Sequence, residues 1–400
     1  MIKSDFHKIN RQKIIKVVNG GIVMLTAFTK MQSSNDTAAS FVQESNFWWL
    51  TGIDEPDWQI IIDGQRDKSW LVSPLVSGIN QIFNGSLSCD AAKEISGVDG
   101  VLNKDQAMNM ITSLAKKHSV VYTVGEPLRI ETFDFVLNPA LRKLKLTLER
   151  IFNDVQDCRL ELSKLRAIKQ PEEIAAIKRA IKLTASAFKE VKSKLPSFTH
   201  EYQVEAEFTY FFRKNGATGH ACEPIVASGK NACTLHYDSN NSKFKKNDLL
   251  LLDIGVRIGG YASDISRTYA IGQPSQRVVE VHKAVDSARR QIISLLHPGL
   301  AVTDYENQVD IIMKDALDQL GLLSSIADYR KYFPHSISHG LGVDVHDSLG
   351  RATEFLPGMV LTVEPGIYIP EEGIGVRIED DILITETGHQ NLSAALSTGL

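Results

Sequence analysis

Asp253 and Asp264 flank a pair of glycines in the run Leu249-Leu-Leu-Leu-Asp-Ile-Gly-Val-Arg-Ile-Gly-Gly-Tyr-Ala-Ser-Asp264. Leu249 to Leu252 has the apolar character of a buried strand, and Gly259-Gly260 marks a chain reversal. Paired positions in an antiparallel hairpin lie equidistant from its turn. A turn centred on Ile258 and Gly259 therefore sets the two aspartates directly opposite each other, with Cβ atoms about 4.5–5.5 Å apart. Like charges opposed beside an apolar strand repel unless a cation or a shared proton compensates. A second acidic pair repeats the arrangement. Glu364 ends the run Met359-Val-Leu-Thr-Val-Glu364, Glu379 follows Gly375-Val-Arg377-Ile, and the return between them centres on Glu371 and Glu372.

Between the pairs lies His335-Ser-Ile-Ser-His339-Gly-Leu-Gly-Val-Asp-Val-His346-Asp. A spacing of four puts His335 and His339 on one face of either a strand or a helix. Asp253, Asp264, Glu364 and Glu379 grouped with a neutral His339 carry four negative charges, which two divalent cations would balance. Oxygen-rich ligation with one imidazole suits Mn²⁺, Co²⁺, Fe²⁺ or Zn²⁺ better than a soft metal. Two such ions, roughly 3.5–4 Å apart and bridged by carboxylates and a hydroxide, make a hydrolytic centre. Each residue alone has a plainer reading: Asp253 as a solvated strand end, Glu364 as a terminator before Pro365-Gly366, His236 as a hydrogen-bonded structural histidine. Arg377 would then be a cross-strand ion-pair partner of Glu379, and Gly340 and Gly342 would serve a tight backbone path. Two acidic pairs and three histidines in one region together favour the metal site.

These residues need elements to hold them. The chain has 400 residues, 43% apolar and 23% charged, which is ordinary for a globular protein and long enough for two domains. A net charge of −4 argues against a nucleic-acid or anionic-membrane partner. No apolar run approaches the ~20 residues of a membrane span, and the short stretch Gly21–Phe28 reads as a strand, not a leader. Cys89, Cys158, Cys222 and Cys233 lack CxxC spacing and read as free thiols of a cytoplasmic protein. Strands are expected at Gly21–Phe28, Phe47–Gly52, Trp58–Asp63, Trp70–Ser73 and Val120–Val124, with a helix across Lys104–Lys117. This portion is a compact α/β domain of residues 1–157. Leu148–Arg166 carries no strand signal and reads as the connector.

A second domain, residues 158–400, opens on a helix at Pro171. Pro171 suits a first helical position, and Glu172 and Glu173 favour the positive end of the helix dipole. Ile174, Ile177, Ile181, Ala185 and Phe188 recur at helical spacing. A second helix presents Val204, Phe208 and Phe211 on one face and stops at Gly216. Strands then dominate from Pro224, interrupted by helices at Arg277–Leu296 and Asp304–Leu320. The class is α+β, and the two carboxylate hairpins hint at pseudo-symmetry.

Ile225-Val-Ala-Ser-Gly-Lys-Asn-Ala-Cys-Thr-Leu-His236-Tyr, Leu252-Asp253-Ile-Gly, Gly260-Tyr-Ala-Ser-Asp264-Ile-Ser-Arg-Thr, Ser338-His339-Gly-Leu-Gly-Val-Asp-Val-His346-Asp, Val363-Glu364-Pro-Gly and Val376-Arg377-Ile-Glu379-Asp-Asp closely resemble segments of the pita-bread metallopeptidases. Within these the match is to the Xaa-Pro aminopeptidase (aminopeptidase P) and prolidase group. Ser45-Asn-Phe-Trp-Trp-Leu-Thr-Gly resembles the creatinase-type N-terminal domain, although Val42 stands where related proteins often carry an arginine. Phe47, Trp48 and Trp49 are read as core residues.

The resemblance implies a pita-bread catalytic domain behind a smaller α/β domain. It implies Asp253, Asp264, His339, Glu364 and Glu379 as metal ligands, with Asp264 and Glu379 bridging two ions, of which Mn²⁺ is the first expectation and Co²⁺, Zn²⁺ or Fe²⁺ the others. It implies that His236, His335 and His346 contact substrate and that Arg377 orients the carboxylates. The implied activity is hydrolysis of the N-terminal Xaa-Pro bond of peptides by a metal-held hydroxide. Glu364 would relay the proton, and His346 or His236 would stabilise the oxyanion. A homodimer or homotetramer follows by the same resemblance. Prolidase, restricted to dipeptides, is the alternative. Asn391-Leu-Ser and the Phe-Trp-Trp run lean toward the aminopeptidase. A metal-free binding protein on the same fold is the other reading.

Overall fold

A computed structural model of the chain describes residues 2–126 and 135–400. The chain forms two compact units, Met1–Leu165 and Arg166–Leu400. In the first unit the strands are β1 (Ile22–Thr26), a small exposed hairpin of β2 (Gln32–Ser34) and β3 (Thr37–Ala38), β4 (Gln59–Asp63), β5 (Lys68–Val72), β6 (Gly100–Leu102), β7 (Val120–Thr123) and β8 (Asp154–Asp157). Six of them make one sheet in the order β6-β5-β4-β1-β7-β8. Ile22, Met24, Ile61 and Val121 from the sheet pack on Ile111, Leu114 and Leu144 from the helices at Lys104–Ala115 and Ala140–Leu148.

Two expectations fail in this unit. Ser45–Thr51 is a helix, where Phe47–Gly52 reads from sequence as a strand. An apolar run of this length does not separate helix from strand by periodicity, and here the ends decide. The Glu44 carboxylate caps the first turn by accepting from the Phe47 amide at 2.6 Å, and Gly52 closes the last turn at φ 71°. Phe47 and Trp49 are fully buried, as their core reading requires, whereas Trp48 is only partly buried. The supposed connector contains β8, paired parallel to β7, and a helix at Arg159–Ala167 within which the two units divide. As a short, mostly exposed edge strand, Asp154–Asp157 carries no apolar pattern to read.

The second unit repeats one plan: helices, two in the first half and three in the second, then antiparallel strands bearing an acidic pair. The first half has helices Pro171–Lys194 and Glu201–Lys214, then β9 (Gly219–His220), β10 (Ile225–Ser228), β11 (Leu249–Ile254), β12 (Val256–Ile258), β13 (Tyr261–Ala262) and β14 (Ile265–Ala270). The second half has helices Gln276–Leu295, Val302–Gln319 and Ile326–Tyr332, then β15 (Val360–Val363), β16 (Gly366–Ile369), β17 (Ile374–Arg377), β18 (Asp380–Ile384) and β19 (His389–Asn391). Helix Glu201–Lys214 buries Val204, Phe208 and Phe212, so its core face is one residue round from the expected Phe211. Among the described residues no helix is long and apolar enough to cross a membrane.

Strand register sets the site. Glu364 and Glu379 face each other as expected, because Val363 pairs with Asp380 and Gly366 with Arg377. The first hairpin differs by two residues. Its turn is the glycine pair itself, at φ 61° and 83°, so Asp253 faces Ser266 and Asp264 faces Gly255. Type I′ turns need positive φ at both central positions, which Gly259-Gly260 supplies and Ile258-Gly259 cannot. The aspartates become diagonal neighbours on one face instead of direct partners. Gly255 is required by this register, since a Cβ there would lie 2.3 Å from the Ser263 carbonyl oxygen. A Gly255→Ala substitution therefore forces apart the strands that carry both aspartates. We expect it to cost about 1–3 kcal/mol, read as a lowered urea midpoint. An unchanged midpoint would contradict this register.

Candidate metal centre

Both hairpin ladders break at the level of their acids, and this is what turns the side chains into a common space. β12 and β13 are separated from β11 and β14 at Gly255 and at Ser263-Asp264; β15 and β18 are separated from β16 and β17 at Glu364-Pro365 and Ile378-Glu379. Pro365 has no N–H to give a ladder. The freed backbone groups find other partners: Glu379 N–H bonds across the two halves to the Ser266 carbonyl at 3.1 Å, Glu364 N–H to the Ile337 carbonyl of the histidine segment at 3.0 Å, and Val256 N–H to Ser263 Oγ at 3.1 Å. Thr268 and Arg377 add a reciprocal pair, Oγ1 to carbonyl at 3.0 Å and amide to Oγ1 at 3.2 Å.

Five side chains converge there. His339 Nε2 lies 3.5 Å from Asp264 Oδ2, 3.6 Å from Glu364 Oε1 and 4.0 Å from Glu379 Oε1. Asp253, Asp264 and Glu379 form one group with ligand atoms within 4.8 Å of each other; His339, Glu364 and Glu379 form another, and Asp264, His339 and His346 a third. Asp264 and Glu379 thus sit in overlapping groups. His339 Nδ1 is 3.0 Å from the Gly340 carbonyl, which leaves Nε2 as the ring nitrogen that faces the carboxylates. His335 and His339 lie on irregular backbone, neither strand nor helix, that runs beside β15 through Thr362 N–H to the His339 carbonyl at 2.9 Å.

The electrostatics are those of buried acids crowded together. Burial, then the charges of Asp253, Asp381 and Glu364, holds the Asp264 carboxyl well above the usual carboxylate range. Burial and the Asp264 and Glu364 charges do the same to Glu379. Glu364 is pushed up to about 7 by burial, against the pull of His339 and Arg377. Asp253 goes the other way: burial alone would raise it, but the Arg377 guanidinium, bonded at 2.7 Å to Oδ2, holds it low. Among the described residues Asp253 Oδ1 and Glu379 Oε1 are buried and accept no hydrogen bond. Two bare carboxylate oxygens, a ring nitrogen aimed at three acids and acids driven toward protonation are the marks of a cage shaped for cations. The donor set fits divalent ions that accept oxygen and one imidazole.

Arg377 is the hub behind the cage. Besides Asp253 it donates from Nε to Ser266 Oγ at 3.0 Å and from Nη1 to the Tyr368 hydroxyl at 2.8 Å. Ser266 Oγ donates in turn to Glu379 Oε2 at 2.8 Å. Tyr368, 2.9 Å from His335 Nε2, passes the chain on, and His335 Nδ1 donates to the Ser336 carbonyl at 2.8 Å. Burial and then Arg377 lower the His335 imidazole to about 4, so it is neutral. Burial and His339 likewise lower the more exposed His346 to about 4, with His236 acting in the same direction. His236 is exposed on the turn after β10. Gly366 makes the Tyr368 contact possible, since a Cβ there would lie 2.4 Å from the hydroxyl.

Sequence reasoning missed Tyr368 and Ser266. Tyr368 was readable, since Glu364, Gly366 and Tyr368 share one face at period two. It also missed the clamp on the histidine loop, where Arg166 reaches Asp344 and Asp347 at 2.9 Å each and Lys169 reaches Asp347 at 3.4 Å, all but Asp344 buried. Gly342 is fitted to that clamp: a Cβ would lie 2.0 Å from Asp347 Oδ2.

The raised acids fix a pH dependence. A carboxyl whose folded pKa is raised adds stability below its unfolded value and loses it as pH rises through the folded value. Asp264, Glu364 and Glu379 are of this kind, and Glu364 loses its share near 7. Asp253, lowered, is already ionised in both states above about pH 5. The lowered His335 and His346 pull the opposite way below about pH 7, so the readout is the metal-dependent part: added divalent ion should raise the Tm of metal-stripped protein more at about pH 8 than at about pH 6. Scanning fluorimetry with and without chelator checks this; an equal rise at the two pH values counts against the cage.

Residues 175–386 match the model of metallopeptidase family M24, and residues 7–122 match that of the aminopeptidase P N-terminal domain. The Xaa-Pro aminopeptidase of Escherichia coli (strain K12) is 33% identical over 422 residues, across 98% of this chain and 95% of that protein. Xaa-Pro aminopeptidase 3 of Homo sapiens is 32% identical, across 90% of this chain and 76% of its own. The solved low-pH form of Escherichia coli aminopeptidase P matches with a TM-score of 0.87 at 33% identity, covering 100% of this chain and 96% of that one. With the two-domain aminopeptidase P fold and the acidic cage in its second unit, the chain belongs to metallopeptidase family M24 and is a metal-dependent hydrolase.

Proposed function

We propose that the protein is an Xaa-Pro aminopeptidase that removes the first residue of peptides carrying proline second, at a centre of two divalent ions. Asp253, Asp264, His339, Glu364 and Glu379 would hold the ions, with Asp264 and Glu379 shared. The observation that carries this is the pair of bare buried oxygens on Asp253 and Glu379 beside His339 Nε2, supported by the names of the full-length relatives. Mn²⁺ is the first expectation for an oxygen-rich set with one imidazole. When bound, the ions would supply Lewis acidity that acidifies a water and polarises the scissile carbonyl.

The chain's own residues do the rest. Glu364, 3.6 Å from His339 Nε2 in the cage, takes the proton of the attacking water and returns it to the leaving nitrogen. His346, 4.4 Å from the His339 ring between centroids, and His236 reach the carbonyl oxygen as it gains charge. His335 stays neutral and, with Tyr368, keeps Arg377 aimed at Asp253. Proline at the second position gives a tertiary amide with no N–H, so a pocket that offers no acceptor there loses nothing by taking it. A cytoplasmic location rests on four free cysteines, and assembly as a homodimer or homotetramer on the likeness to the relatives alone.

Metal analysis should find up to two equivalents of divalent ion, removal of which by chelator abolishes hydrolysis. Glu364→Gln should lower kcat by about 10²–10⁴-fold, the range of a lost general base. Wild-type activity in that variant would remove Glu364 from the proton path. Xaa-Pro-Yaa-Zaa peptides should be cleaved as readily as Xaa-Pro dipeptides or better; an enzyme confined to dipeptides is a prolidase.

A further inference from the structure

Glu201 lies outside the cage, at the first position of helix Glu201–Lys214, and is fully buried. Its carboxylate accepts five hydrogen bonds. Oε1 takes the Ser228 amide at 2.7 Å, the Ser228 hydroxyl at 2.7 Å and Asn231 Nδ2 at 3.0 Å. Oε2 takes the Tyr237 hydroxyl at 2.8 Å and the Ser242 amide at 2.8 Å. All five donors belong to the segment from Ser228 to Ser242, which leaves β10 and carries His236 at its turn. Asn231 Nδ2 also reaches Ser242 Oγ at 2.9 Å, tying the two ends of the segment together.

The opposite side of this segment is fixed by backbone. A Cβ on Gly375 would lie 2.3 Å from the Ala232 carbonyl oxygen, so β17 presses directly on the turn at Gly229–Cys233. Cys233 Sγ donates to the Ile374 carbonyl at 3.4 Å. His236 itself is exposed and has no hydrogen bond to hold it among those in this segment; its position is inherited from its neighbours. A buried carboxylate that saturates both oxygens with charge-assisted bonds is a strong anchor and a costly one to bury for packing alone.

We infer that Glu201 is a positioning residue for the peptidase reaction: it holds the Ser228–Ser242 loop so that His236 meets the substrate. The inference rests on the substrate contact proposed above for His236. Loss of the anchor acts through His236 and leaves the metal ligands in place. An error of about 1 Å at a contacting group costs up to about 100-fold in rate.

The test is a double-mutant cycle on the metal-loaded enzyme, with kcat and KM measured on an Xaa-Pro-Yaa peptide. Glu201→Gln removes one acceptor oxygen and should lower kcat/KM about tenfold or more at unchanged metal content. Tyr237→Phe removes one donor, is the milder variant should Glu201→Gln fold poorly, and should lower kcat/KM a few-fold. Each combined with His236→Ala should be no worse than His236→Ala alone. Losses that multiply in the double variants, or a Glu201→Gln enzyme as active as wild type, overturn the inference while leaving the role of His236 standing. A silent His236→Ala removes that role and this inference with it.

Discussion

Four carboxylates share one half-dry space in the second unit, and most of what surrounds them serves to make that tolerable. Mutual repulsion and lost hydration together drive Asp264 and Glu379 far up and bring Glu364 to about 7. Among the described residues only one member is bonded to an arginine. Arg377 neutralises Asp253 and cannot turn to the others, because Ser266 and Tyr368 fix its remaining donors. A guanidinium held at three points is a wall, not a mobile counter-ion. What is left is an anionic pocket with an imidazole nitrogen pointing into it, which folds best around cations.

The backbone concedes regularity in the same place. Each hairpin gives up its ladder for one or two residues at the acids and recovers the bonds across the two halves, through Ser266 and Glu379 and through Thr268 and Arg377. Behind that seam, buried Arg267 donates to the Ser266 and Glu379 carbonyls at 2.8 and 2.6 Å and pairs with Asp380 at 2.7 Å. Arg289 joins Asp380 from helix Gln276–Leu295, so a helix, two strands and both backbone breaks share one network. Such a network defines the relative height of the two hairpins more sharply than apolar packing does, because each bond is directional.

The gathering of acids was legible because two acidic pairs at hairpin spacing share one stretch of chain with three histidines, although each acid alone reads as a strand end. The second register followed from turn position alone. The first did not: centring the turn by the acids gave Ile258-Gly259, whereas the left-handed conformation of both glycines moves it by one position and every pairing by two. The inference ran in the wrong direction, from acids to turn. Helix Ser45–Thr51 was misread because aromatic residues favour strands on average while a glutamate cap and a terminal glycine decide the local case. The supporting bonds were out of reach in principle. Lys169 meets Asp347 and Glu201 meets Ser228 only after the chain has folded, and nothing in the local pattern of either residue foretells its partner.

Charge also explains why one arginine sits beside one aspartate in a site otherwise left to cations. Four carboxylates against two divalent ions would come to neutrality, and a neutral centre offers a developing oxyanion no net attraction. Arg377 shifts the balance by one positive unit without occupying a ligand position, since it bonds Asp253 through Oδ2 and leaves Oδ1 bare. On the two-ion reading proposed above, the surplus would suit the single negative charge that a carbonyl oxygen acquires when attacked. Replacing Arg377 by a neutral residue would therefore remove more than an orienting contact. It would leave Asp253 Oδ2 without its guanidinium donor and take from the Tyr368 hydroxyl one of the two bonds that fix it, the other being to His335.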